Sequence, residues 1–256
     1  MKNIALDIAF DGTKYSGWQL QKDRETVSGQ LCKALKAVTG QDINPTGCGR
    51  TDKGVHAKYY RANFYTNSNV PVKRYPLALN HYLPEDVRVT AACEVPQIFH
   101  SRASCVKKEY TYLVYQSRVD DPFMLNRAHR VHFELDLAKL KQAAAELEGA
   151  HDFEPFRSTG STNIKSTVRT VHYVKVSQKG NLTRIKICAN GFLYNMARIM
   201  AGTLIMICKK DLPAGYITNI FKQNNRDLAG PTAPAHGLYM TKLWFKKSHV
   251  TMPDVE

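Results

Sequence analysis

The sequence predicts an α+β protein built on a mixed or antiparallel sheet with helices. Three observations lead there. Apolar residues at every second position mark strands, and apolar residues at helical spacing mark helices. Both kinds of segment occur in mixed order, joined by hairpins as well as crossovers. The same mixture appears twice along the chain.

Ile4, Leu6, Ile8 and Phe10 alternate and predict a first strand, which Asp11-Gly12-Thr13-Lys14 breaks as a turn. Val27, Leu31, Leu35 and Val38 follow a helical period, with Gly40 as a natural stop. Residues 43–57 are rich in Gly, Thr and Pro and read as a loop. Tyr59–Tyr65 reads as a strand, Val72–Tyr82 as a short helix closed by Leu83-Pro84, and Val87–Val95 as an alternating strand. The pattern then restarts. Glu109–Tyr115 is β-rich, and Leu137–Leu147 is a helix stopped by Gly149. Val168–Val176 and Leu182–Cys188 are strands joined by the hairpin signal Gln178-Lys179-Gly180-Asn181. Phe192–Cys208 is a long apolar helix, Ile217–Lys222 a short one, and Leu238–Phe245 a closing strand. The restart near residue 105 divides the chain into halves, 1–104 and 105–256, with no repeat, low-complexity tract or Pro-Ser linker.

Composition narrows the partners. The 256 residues are 43% hydrophobic, enough for a core without staples and too many for a disordered chain. A net charge of +14 says nothing about fold but points to an anionic partner, with nucleic acid ahead of a membrane surface or an acidic protein. The 6 cysteines form no Cys-x-x-Cys pair and have no His cluster beside them, which argues against a metal site. They are too scattered for a disulfide scaffold and read as reduced thiols of a cytoplasmic protein. Asp7 interrupts the apolar N-terminal stretch, so it does not read as a signal peptide. The most apolar window, Met196–Cys208, is too short to span a bilayer and contains Arg198.

The loop Gly47-Cys48-Gly49-Arg50-Thr51-Asp52-Lys53-Gly54-Val55-His56 is the most informative stretch. Glycines flank a short polar cluster and let backbone or ligand come close. Such a loop can hold Asp52 at a cleft between cations that favour its ionised form, suited to act as nucleophile, base or cation stabiliser. It can equally be a surface turn in which Asp52 caps the backbone and pairs with Arg50. The loop alone leaves both readings open.

The run Gly49-Arg50-Thr51-Asp52-Lys53-Gly54-Val55-His56-Ala57 closely resembles the signature loop of the TruA family of pseudouridine synthases. Further blocks resemble the family in the same order: Phe10–Gln19, Phe99–Arg102, Lys108–Tyr112, Asp152-Phe153 with Phe156, Arg169-Thr170, Gly191–Arg198 and Ala233–Tyr239. The likeness therefore covers nearly the whole chain and is far more specific than a lone short motif. It departs at Lys53, where the family often has Ala, and at Ala197, where a larger aliphatic is common; neither alters a residue assigned to chemistry.

The resemblance implies two ferredoxin-like halves around a central cleft, and a reaction that needs no cofactor. It implies tRNA as substrate, with uridines on the 3′ side of the anticodon stem-loop isomerised, and a homodimer. It makes Asp52 the essential carboxylate and Tyr110 the aromatic residue that packs on the target base. Arg198 matches the basic residue near that carboxylate, and Arg50 the residue that enters the RNA to displace the nucleotide.

Each role has a physical rationale. A base must leave its stack before its glycosidic bond is reachable, and an aromatic face compensates for the lost stacking. Arg198 sits among Met196, Ala197, Ile199 and Met200, where a guanidinium needs a partner, and Asp52 is a suitable one. Tyr110 also reads as an ordinary half-buried strand tyrosine, and Arg198 as a side chain reaching water at the helix edge. Lys14, Arg24, Lys58, Arg61, Lys107, Lys108 and Lys165 are candidates for tracking the RNA backbone.

Three competing readings remain. A non-catalytic RNA-binding module shares the basic charge but leaves an acid between cations unexplained. A related synthase acting on ribosomal RNA shares the same loop. A glycoside hydrolase needs a second carboxylate facing Asp52, and no partner motif is evident.

Overall fold

A computed structural model describes residues 1–160 and 165–249. The strands are β1 (Lys2–Phe10), β2 (Thr46–Gly47), β3 (His56–Thr66), β4 (Val87–Val95), β5 (Cys105–Gln116), β6 (His129–Val131), β7 (Gly149–Asp152), β8 (Val168–Lys179), β9 (Leu182–Ala189) and β10 (Leu238–Phe245). The α-helices are α1 (Val27–Thr39), α2 (Tyr75–Tyr82), α3 (Leu137–Ala145), α4 (Met196–Lys209) and α5 (Tyr216–Gln223). The architecture is α+β with mixed pairing, as the sequence predicts. The chain divides into two units, one of residues 1–107 plus the segment from Met240 onward, the other of residues 108–239.

In the first unit the strand order is β4-β1-β3-β10, with β2 added to β3. β1 runs antiparallel to both neighbours. Ile4, Leu6 and Ile8 lie opposite Phe64, Ala62 and Tyr60 on β3, and all six are buried. α1 starts at Thr26, whose hydroxyl accepts the Gly29 N–H at 3.2 Å, and stops at Gly40 in the left-handed region (φ 71°). Both are local signals, so this helix matches its predicted span closely.

The second face of β1 differs from the expected alternation of apolar core and polar surface. Asn3, Ala5 and Asp7 are buried as well. Asp7 lies opposite Arg61 on β3, and Arg61 Nε and Nη2 donate to its two carboxylate oxygens at 2.6 and 2.8 Å. The guanidinium also lies 5.1 Å from the Phe245 ring centroid and 5.6 Å from that of Tyr59. Arg61 is therefore no RNA-tracking side chain: at 5% exposure its charge is spent on Asp7. Removing one partner strands a buried charge. Arg61→Ala is expected to cost about 3–5 kcal/mol of stability in urea denaturation. A paired Asp7→Leu, Arg61→Met replacement should recover most of that loss, and a loss below about 1 kcal/mol for Arg61→Ala would contradict the pair's role.

In the second unit the order is β5-β9-β8-β7, with β6 parallel to the end of β5. β8 and β9 form the predicted hairpin. Gly180 takes φ +58° at the first central position of the two-residue turn, where a type II′ hairpin calls for glycine. Asp136 caps α3 by accepting the N–H groups of Ala138 and Lys139 at 2.8 and 3.0 Å. α4 is buried along most of its length, and Ile185, Ile187, Val174 and Val176 line the core of this unit.

Two predicted helices start late. Asn195 sits at φ 61° in a turn closed by the Met196 N–H donating to Leu193 O at 3.1 Å, so α4 begins at Met196 rather than Phe192. Val72–Arg74 is a 3-10 turn, and α2 follows with Pro76 in its first turn, where no N–H is needed. The predicted loop 43–57 contains β2 and the start of β3.

Candidate active site

The loop that carries Asp52 runs from β2 to the start of β3 and is held from two sides. On the sheet side, the Cys48 N–H donates to Arg61 O at 2.9 Å, beside the Gly47–Ala62 pairing. The Tyr60 hydroxyl donates to Gly49 O at 2.5 Å. The Tyr60 ring stacks on Trp18, with centroids 4.2 Å apart and planes at 27°. A Cβ on Gly47 would stand 2.1 Å from the Tyr60 oxygen and 2.5 Å from Trp18 Nε1, so only glycine fits there.

The segment 12–18 holds the other side through backbone. Trp18 N–H donates to Thr51 O at 3.4 Å, and Gly54 N–H to Tyr15 O at 3.3 Å. The Gly12 N–H donates to His56 Nδ1 at 3.0 Å. A Cβ on Gly17 would lie 2.1 Å from Thr51 O, and one on Gly12 would lie 2.0 Å from Val55 O. These two glycines let one backbone lie directly on the other. Tyr15 is fixed in turn by its hydroxyl, which donates to Asp86 Oδ1 at 2.5 Å. Burial, and then Asp86, push the Tyr15 phenol well above its ordinary pKa, so it remains a donor.

Between these anchors Asp52 opens a tight turn. Val55 N–H donates to Asp52 O at 3.2 Å, and Gly54 takes φ +79° at the third position, the type II pattern. Thr51 is buried, Asp52 half-buried, and Arg50 and Lys53 exposed. The sequence thus yields a carboxylate at a rigid corner between two exposed cations.

Tyr110 and Arg198 belong to the second unit. Tyr110 on β5 is only 8% exposed and meets Phe192 edge-on, with centroids 4.9 Å apart. Arg198 is the third residue of α4 and half-buried. Its Nε donates to Ala233 O at 2.8 Å and its Nη1 to Asn195 Oδ1 at 2.9 Å. Ala233 N–H returns a bond to Arg198 O at 3.2 Å, which ties the 231–237 segment to the helix start. His236 lies with its ring 6.5 Å from that of His129. Burial, and then His236, hold the His129 pKa below the ordinary histidine value.

The other cations vary in setting. Lys14 is exposed and 3.4 Å from Asp86, and Arg24, Lys58 and Lys165 are exposed. Lys107 Nζ lies 4.6 Å from the Trp244 ring centroid, and Lys108 is half-buried. Sequence reasoning missed the parts that position the loop: Gly12, Gly17, Trp18 and Tyr60. Gly12, Gly17 and Trp18 lie in the stretch Phe10–Gln19 that carries the family likeness, which was the available signal; Tyr60 had none.

A family model described as tRNA pseudouridine synthase matches residues 8–102 and 143–246. The chain is 41% identical over 243 residues to the tRNA pseudouridine synthase A of Thermoanaerobacter sp. (strain X514), covering 95% of this chain and 99% of that protein. It is 42% identical over 246 residues to that of Ruminiclostridium cellulolyticum, covering 96% and 100%. It is 40% identical over 245 residues to that of Acetivibrio thermocellus, again covering 96% and 100%.

Proposed function

The chain belongs to the tRNA pseudouridine synthase family, and from that premise we propose that Asp52 is the carboxylate on which its isomerisation of uridine in tRNA depends. The reaction breaks the N1–C1′ glycosidic bond, turns the base and forms a C5–C1′ bond. The proton leaves C5 for solvent and one is gained at N1, so atoms and electrons balance without oxidant, reductant or group donor. The observation that carries the reading is the double anchoring of the loop, which holds Asp52 at the first position of a tight turn, half-exposed. A preorganised carboxylate is ready to attack C1′ or C6 or to take the C2′ proton.

The same proposal gives Tyr110 the face on which the displaced base stacks, Arg198 the role of a fixed cation and Arg50 that of entering the RNA. It takes the uridines from the 3′ side of the anticodon stem-loop and makes the protein a cytoplasmic homodimer. Lys14, Lys58, Lys107 and Lys108 contribute to holding the phosphate backbone. Among the described residues no helix is long and apolar enough to cross a membrane.

The test is to incubate the protein separately with tRNA and ribosomal RNA transcripts and map pseudouridine by carbodiimide-dependent primer-extension stops. Stops on the 3′ side of the anticodon stem-loop are expected. Stops in ribosomal RNA alone would replace the substrate assignment, and none in either would leave a binding module. Binding should also weaken steeply with salt, by about 10³-fold or more between about 50 and 200 mM if six or more phosphates are neutralised. A flat affinity across that range would contradict electrostatic tracking of the backbone.

A further inference from the structure

The sheet of the second unit has a basic face that carries none of the residues assigned to the reaction. Strand register sets it out in rows: Glu109, Cys188 and Tyr173; Thr111, Lys186 and Lys175; Leu113, Arg184 and Ser177; Tyr115, Leu182 and Lys179. Tyr110, Tyr112 and Val114 take the opposite face of β5, because successive side chains alternate. The face thus gathers four cations, Lys175, Lys179, Arg184 and Lys186. Among the described residues none of the four has an acidic partner within ion-pair distance. The acid of these rows, Glu109, is 4% exposed and accepts the Tyr173 hydroxyl at 2.6 Å. Lys175 Nζ lies 5.0 Å from the Tyr173 ring centroid.

Such an arrangement works against folding. Lys175 and Lys186 are direct cross-strand partners, and like charges so placed destabilise a sheet. Arg184 follows Lys186 on the same face about 6.8 Å along the strand. A polyanion relieves that repulsion. An acidic protein partner is the weaker fit, because interfaces carry an apolar centre and the apolar members of these rows, Leu113, Leu182 and Tyr115, are half-buried or buried.

We propose that the β5-β9-β8 face bearing Lys175, Lys179, Arg184 and Lys186 docks a stretch of tRNA backbone remote from the target uridine. Remoteness follows because the sheet itself separates these cations from Tyr110; this step rests on the base-stacking role given to Tyr110 above.

The experiment measures equilibrium binding, without turnover, of full-length tRNA and of the isolated anticodon stem-loop as salt is varied. Lys175→Gln/Lys186→Gln should raise the Kd for full-length tRNA roughly five- to tenfold and reduce the log–log salt slope by about 1.5. The Kd for the stem-loop should stay at the wild-type value, and the thermal midpoint should hold or rise as the like-charge pair is removed. The control Lys33→Gln/Lys36→Gln removes the same formal charge from α1 and should leave both Kd values unchanged. An unchanged Kd and slope for full-length tRNA, or equal weakening of both RNAs, would overturn the proposal. Failure of the wild-type protein to bind either RNA would instead strike the substrate reading itself. Loss of the Asp52 assignment would leave these binding results untouched.

Discussion

Asp52→Asn is expected to lower the single-turnover rate of pseudouridine formation by about 10,000-fold while changing tRNA affinity only a few-fold. The amide keeps the size and the turn but can neither accept a proton as a base nor form a stable covalent bond to the ribose or the ring. The asymmetry between rate and affinity is the point. Asp52 is a single half-buried acid beside two exposed cations on a loop of a protein with a net charge of +14. Removing it subtracts little from binding, and removing a negative charge can even strengthen it. Single-turnover rates with enzyme in excess, alongside filter binding, separate the two effects. A near-normal rate in Asp52→Asn would return Asp52 to the role of a turn-capping surface acid.

Gly17→Ala is expected to unseat the same loop without touching its residues. Its Cβ would stand 2.1 Å from Thr51 O, a backbone atom that cannot swing aside, and Gly17 sits at φ +88°. The expected cost is about 2–4 kcal/mol, from overpacking and backbone strain together. What relief is available comes from moving Thr51, and Asp52 with it. Activity should therefore fall by about 100-fold or more even where denaturation shows the protein folded, since small misplacements of a reacting group are costly. Gly40→Ala is the useful comparison. Its φ of +71° strains the backbone in the same way, but nothing lies within 4 Å of the added carbon. It should lose stability and keep its rate. Equal rate losses in the two variants would show that Gly17 acts through global stability alone.

The parts of the fold legible in the sequence are those with local causes. β4 and β10 match their predicted spans: apolar residues recur at Val87, Val89, Ala91, Cys93 and Val95 along β4, and β10 is an apolar, aromatic-rich run. α1 carries its own cap and stop. The misses have tertiary causes. β2, β6 and β7 are two to four residues long, too short for any period, and exist because a longer neighbour offers free backbone groups. Arg61 was read as a surface cation because nothing in the chain order reveals that β3 places it across from Asp7. At the site the motif around Asp52 was legible in full. What makes the loop rigid was not: Tyr60 reaches back to Gly49, and Gly17 meets Thr51 across more than thirty residues of chain.

The most direct test of the central claim is tritium release from tRNA transcripts labelled at uridine C5, comparing the wild-type protein with Asp52→Ala. The account predicts release by the wild type, because C5 loses its hydrogen when the new glycosidic bond forms, and none by the variant despite intact binding. Release by both proteins would contradict the role of Asp52, and release by neither, with tight tRNA binding, would contradict the isomerisation of uridine in tRNA.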